Sequence, residues 1–149
     1  MLAGKAELTG RVTVIGGGLV GTETAEYLLQ RGCEVAIVEM LDKIAAGESE
    51  TILPLIMSDF AEHNVEQHVK TRLTAITDEG VEAVRTAEDG AEEPVKIACD
   101  YVVMAVGSEP TRLIWTRDGA RDLRGDCSGE RTADIASAIR TAYHAANEL

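Results

Sequence analysis

Aromatic side chains are nearly missing from this 149-residue chain, at 3% of its residues. Its core must therefore be aliphatic, and stacking platforms for unpaired bases are too scarce for a single-stranded nucleic-acid binder. Positive charge is also in deficit. Fourteen lysines and arginines face 26 acids, a formal net charge of −12. That field repels a phosphate backbone, although backbone amides can still hold a small anion locally. Cysteine is sparse as well. Cys33, Cys99 and Cys127 are far apart and odd in number, and no CxxC pair is present. Neither a zinc site nor a redox-active disulfide is signalled, and the usage suits a reducing compartment. No apolar run reaches the roughly 18 residues of a transmembrane helix. The opening "MLAGKAELTG" has no signal-peptide core, and a cytoplasmic protein is expected. His63, His68 and His144 have no partner at ligand spacing, so no metal site is expected.

Glycine, by contrast, is concentrated where it is informative. The length gives room for one hydrophobic core and hardly for two. "RVTVIG" (11–16) is β-branched and apolar, a buried parallel strand. "LVGTETAEYLLQR" (19–31) puts Val20, Thr24, Tyr27 and Leu28 at helical spacing, with Gly32 as a stop. "EVAIVE" (34–39) is a second strand. Residues 42–48 read as a loop, 49–63 as a helix with Pro54 early in it, and 65–70 as a third strand. Between 71 and 98 the texture changes. "TRLTAIT", "VEAVRTA" and "EPVKIA", separated by the turn signals "DEG" and "EDG", predict an antiparallel meander. "YVVMAVG" (101–107) returns to the buried parallel type, residues 108–130 are mostly irregular, and 132–149 predict a helix with Ile135, Ala138, Ile139 and Ala142 on one face. The fold class is α/β: a three-layer, Rossmann-like dinucleotide-binding fold with a parallel sheet and an antiparallel β-meander crossover.

The order strand, "GGGLVG", helix, strand, glutamate explains the glycines. Gly16 allows a tight turn out of the strand. Gly18 lets a pyrophosphate approach the backbone, and Gly21 allows the helix to pack closely on the strand. The helix start, at Leu19 and Val20, offers free N–H groups and the positive end of its dipole. Glu39 closes the second strand 21 residues after Gly18. A carboxylate there accepts hydrogen bonds from the hydroxyls of an adenosine ribose and repels a 2′-phosphate. Met40 and Leu41 follow it, not an arginine, so NADH is favoured. Lys43 keeps NADPH open as the second choice.

The pattern runs further, as G-x-G-x-x-G-x-E-x-A in "GGGLVGTETA". With the meander and "YVVMAVGSEP" it resembles the NAD(P)H-binding domain of the pyridine nucleotide–disulfide oxidoreductase superfamily. The stretch "VIGGGLVGTETAEYLLQRGCEVAIVEMLDKIA" is most similar to NADH:flavin oxidoreductases of the 2,4-dienoyl-CoA reductase and 2-enoate reductase type. The resemblance implies that hydride passes from NADH to FAD, then electrons to an iron–sulfur cluster and FMN. It implies that Glu23 faces the nicotinamide end of the cofactor. It also implies that Gly107 lies close to the dinucleotide and that Asp126, in "GDC", corresponds to the flavin-binding aspartate. Met40 completes the expected cofactor-contacting set. The flavin domain's own glycine motif, the barrel and the cluster cysteines are not found, and "GSEP" replaces the usual arginine before the proline. The expectation is a piece of a larger enzyme, inactive alone, with FAD bound only in the full-length protein. Residues 1–110 would be the NAD(P)H-binding domain. Residues 111–149 would be the C-terminal return of an incomplete FAD-binding domain, packed on the first as one unit. The expected partners are the dinucleotide and the missing FAD and FMN domains, with a second copy as a further option for the last helix. No nucleic acid and no membrane is expected.

Two other functions share parts of this pattern. A non-catalytic NAD(H)-sensing module would carry the same fingerprint and Glu39 without the Glu23 and "GDC" features. An S-adenosylmethionine-dependent methyltransferase has a similar loop and acid, but the meander before "YVVMAVG" argues against it.

Overall fold

A computed structural model describes residues 8–107 and, in the last helix, Ile139, Arg140, Tyr143, His144 and Asn147. The chain divides into two units, Met1–Val106 and Gly107–Leu149. In the first, β1 (Arg11–Ile15), α1 (Leu19–Leu29), β2 (Glu34–Val38), α2 (Leu53–Glu62) and β3 (Glu66–His68) come in alternation. β4 (Thr71–Thr77), β5 (Gly80–Thr86) and β6 (Glu92–Ala98) follow as a meander, and β7 (Tyr101–Met104) closes the series. β3, β2, β1 and β7 form a parallel sheet in that order, and β4, β5 and β6 form a separate antiparallel one.

Period-two alternation gives the parallel sheet two apolar faces. Val12, Val14, Val35 and Ile37 pack with Ala25, Leu28, Leu29, Ile56 and Phe60 of the helices. Ile15, Ala36 and Val38 point the other way and pack with Val81, Ala83 and Ile97 of the meander. The layers are therefore helices, parallel sheet and antiparallel sheet, as the sequence pattern predicts. Chain order reverses at β1, which pairs with β2 on one side and β7 on the other. Open α/β sheets bind ligands at such a switch point, outside the carboxyl ends of the strands. The glycine loop leaves β1 there.

Several boundaries differ from expectation. α1 stops at Leu29. The N–H of Cys33 then bonds to the Leu28 carbonyl at 3.2 Å, and Gly32 takes a left-handed φ of +78°. Val20 does not share the buried stripe of α1 and is 64% exposed. It has the azimuth of Thr24 but lies in the first turn, beside the loop rather than over the sheet. α2 begins only at Leu53, because Pro54 lies in its first turn, where a missing N–H costs nothing. β3 is cut to three residues as the chain folds over at Lys70, which has φ +50°. β7 is half-buried rather than buried, with Tyr101 and Met104 exposed, since it is an edge strand of this sheet. In the second unit, the described positions from Ile139 to Asn147 are helical, and Ile139 is exposed. Ile135, Ala138 and Ala142 lie outside the described residues.

Candidate functional site

The turn from β1 into α1 is held together by close backbone approach. Gly16 has φ +104° and donates its N–H to the Val38 carbonyl at 2.8 Å. A Cβ on Gly16 would strike the Ala105 carbonyl of the segment leaving β7, and one on Gly21 would strike the carbonyl oxygen of Gly16. Gly18 differs from both. It is the N-cap of α1 at φ −71°, and a Cβ there would meet nothing within 4 Å. Gly16 and Gly21 are thus required by the fold, whereas Gly18 borders open space above the loop. Thr22 fastens the helix start through its N–H and its hydroxyl, each 2.9 Å from the Gly18 carbonyl. The first turn of α1 carries no acid and no side-chain cap. Its N–H groups and dipole therefore face that space.

Glu39 stands beside the loop. Its backbone is fixed on both sides: its N–H donates to the His68 carbonyl at 2.9 Å and its own carbonyl accepts from Thr71 at 2.8 Å. The carboxylate accepts the Gly17 N–H on Oε2 at 2.6 Å and the Leu41 N–H on Oε1 at 2.8 Å. A carboxylate has about four lone-pair positions, so about two remain. The order of parts in the sequence predicts Glu39 as a ribose ligand. Its grip on Gly17 had no such signal.

The other expected residues fall in different places. Leu19, Val20 and Met40 are exposed around the loop, as are Leu41, Met104 and Val106. Glu23 is exposed on the second turn of α1. Gly107 has φ +104°, a left-handed conformation that suits glycine. Asp126, like Cys127, lies outside the described residues. The region 42–48 is more than a loop. Ile44 and Ala45 are buried, and Ala45 holds φ +53° while its N–H donates to the Gly17 carbonyl at 2.6 Å. A lone isoleucine in "DKIAAG" was the one hint of this. His63 and His68 pair with Asp59 and Glu66, each at 3.2 Å. Among the described residues no group of three His, Cys, Asp or Glu side chains could hold a metal ion, and no helix is long and apolar enough to cross a membrane.

A cavity of about 310 Å³ lies elsewhere. It lies at the opposite end of β1 and β2, with Arg11, Thr13, Glu34, His63 and Cys99 among its lining. The crest at Gly18 is open rather than enclosed, which suits an extended ligand laid across strand ends.

This construction defines a Rossmann-type domain, and similarity to known proteins narrows the class. The chain belongs to the pyridine nucleotide-disulphide oxidoreductase family, whose profile matches residues 2–140. Members of this family use NAD(P)H and FAD. The chain is 44% identical over 145 residues to bilirubin reductase of Mediterraneibacter gnavus (strain CC55_001C), covering 95% of this chain and 22% of that protein. It is 37% identical over 112 residues to NADH oxidase of Thermoanaerobacter brockii, covering 74% and 17%. Among solved structures, a 2-naphthoyl-CoA reductase complex superposes with a TM-score of 0.78 at 27% identity, over 95% of this chain and 21% of that one. The chain therefore spans about a fifth of the length of these relatives.

Proposed function

We propose that the chain is the NADH-binding domain of a multidomain flavin-dependent oxidoreductase, and that it positions the nicotinamide for hydride transfer to FAD in the full-length enzyme. The observation that carries this is the pairing of an open Gly18 crest with a fixed Glu39 carboxylate that has acceptor positions to spare. A dinucleotide fits both. The crest takes the pyrophosphate where a Cβ would intrude, and the uncapped start of α1 at Leu19 and Val20 opposes its charge. The free lone pairs of Glu39 accept the two hydroxyls of the adenosine ribose. The same carboxylate repels a 2′-phosphate, so NADH is preferred over NADPH.

The bound nicotinamide supplies the hydride, and the protein supplies binding and orientation. In this reading Glu23 faces the nicotinamide end, Met40 flanks the adenosine, and Gly107 lets the chain pass close to the dinucleotide. Asp126 serves the flavin of the complete protein. The partners are the FAD and FMN domains of the same enzyme, and its compartment is the cytoplasm. For a reductase of the enoate or enoyl-CoA type, the support is the likeness to a 2-naphthoyl-CoA reductase.

Titration with NADH and NADPH, followed by nicotinamide fluorescence, tests the proposal. NADH should bind more tightly than NADPH. Glu39→Ala should weaken NADH by about tenfold or more, since hydrogen bonds to a charged group contribute about 1.5–3 kcal/mol. Failure of the intact chain to bind either nucleotide would overturn the reading. A sensing module would bind NADH in the same way, but the full-length protein would then show no NADH-dependent flavin reduction.

A further inference from the structure

The conformation of the glycine loop is imposed on it from one side by the segment that follows β2. Gly17, at the crest, is held at both of its polar groups. Its N–H goes to the Glu39 carboxylate at 2.6 Å, and its carbonyl accepts the Ala45 N–H at 2.6 Å. Its α-carbon is held too, since a Cβ would come within 2.6 Å of Ile44 Cγ2 and 3.1 Å of Glu39 Cβ. Ala45 makes its bond from a left-handed φ of +53°, a conformation that costs an alanine free energy. Both Ile44 and Ala45 are buried, so the segment is anchored in the helix-side core. None of these contacts involves a ribose. They set the position of the peptide immediately before Gly18.

We propose that residues 39–45 form a buttress that presets the glycine loop for the pyrophosphate. Glu39 is then a positioning residue for the phosphate half of the cofactor as well as a ligand for the ribose. This rests on the dinucleotide reading above. Its chemical content is that Glu39 makes two separable contributions. The lone pairs left over read hydroxyl groups, while those already in use hold Gly17 and Leu41 in place.

The two contributions separate with a ligand that lacks the hydroxyls. The full chain and its Glu39→Ala variant are titrated calorimetrically with ADP and with 2′,3′-dideoxy-ADP. Alanine keeps the Cβ but removes both acceptor oxygens. Neither the Gly17 nor the Leu41 N–H group then keeps its partner. If Glu39 only reads the ribose, its replacement leaves dideoxy-ADP binding unchanged, or tightens it by removing a negative charge near the phosphates. The proposal requires dideoxy-ADP to bind at least threefold more weakly to the variant. It also requires the Gly17 amide to exchange with solvent at least tenfold faster in the free variant, with the β1–β2 ladder amides unchanged. Unchanged or tighter dideoxy-ADP binding, or an unaltered Gly17 exchange rate, overturns it. If the wild-type chain binds neither ADP nor NADH, the dinucleotide reading fails, and the exchange rate alone then decides whether the buttress exists.

Discussion

Glycines that look alike in "GGGLVG" differ in what they are for. Gly21 is a packing residue: with Gly21→Ala a Cβ is forced into the Gly16 carbonyl. We expect a loss of about 1–3 kcal/mol in chemical denaturation, the scale of an overpacked core. Gly18→Ala meets no atom within 4 Å and has an ordinary φ. It should unfold within about 1 kcal/mol of the wild type, the range of an N-cap exchange, and still lose most of its NADH affinity. Equal damage to stability by both substitutions would refute the division of roles. Thr13 poses a different question. It is fully buried on β1, and its hydroxyl has no hydrogen-bond partner. A buried orphan hydroxyl costs about 1–3 kcal/mol. Thr13→Val keeps the shape and removes the orphan, so the midpoint of urea unfolding should rise. A fall would identify a bound water in the adjoining cavity as the missing partner.

At the scale of elements, α1 and α2 bring acids together. Burial, with added repulsion from Asp59, Glu23 and Glu48, holds the Glu26 carboxyl above its ordinary value. The folded state therefore keeps this proton to higher pH than the unfolded chain does. Stability falls as pH rises through the window just above the usual glutamate value of about 4.3. Glu26→Gln should flatten that part of the pH–stability profile and leave the chain more stable than wild type at pH 7. No difference between the two profiles would show that solvent screens the cluster. The same scale shows what the residue pattern discloses. β1, α1, β2 and the meander follow from period two, period 3.6 and turn residues, and they form where the pattern places them. The ends do not follow as well. Val20 has a core-like composition but overlies no sheet. β7 reads as buried because its residues are β-branched and apolar, yet burial also depends on what lies beside an edge strand. The 42–48 loop has no periodicity, and its buried Ile44 and Ala45 are explained only by the glycine loop they support.

For the whole molecule, binding and turnover are expected to part company. The isolated chain should bind NADH and not oxidise it. Measurable NADH oxidation without added flavin, followed at 340 nm, would contradict the domain role. The apolar rim of Leu19, Val20, Met40, Leu41, Met104 and Val106 around the crest is exposed in the first unit. By itself, the sequence of this protein determined the layer order, the place of the glycine turn and the identity of the acid at the end of the second strand. These depend on side-chain periodicity and on glycine's missing Cβ, which are local properties. Only the tertiary structure decided which glycine faces space and which faces backbone, that the Glu39 carboxylate accepts the Gly17 N–H, and that Ile44 and Ala45 are buried. Those facts depend on approaches between segments some 20 to 90 residues apart, such as Gly17 with Glu39 and Gly16 with Ala105. No local pattern encodes such distances, because they emerge only when the strands are laid side by side.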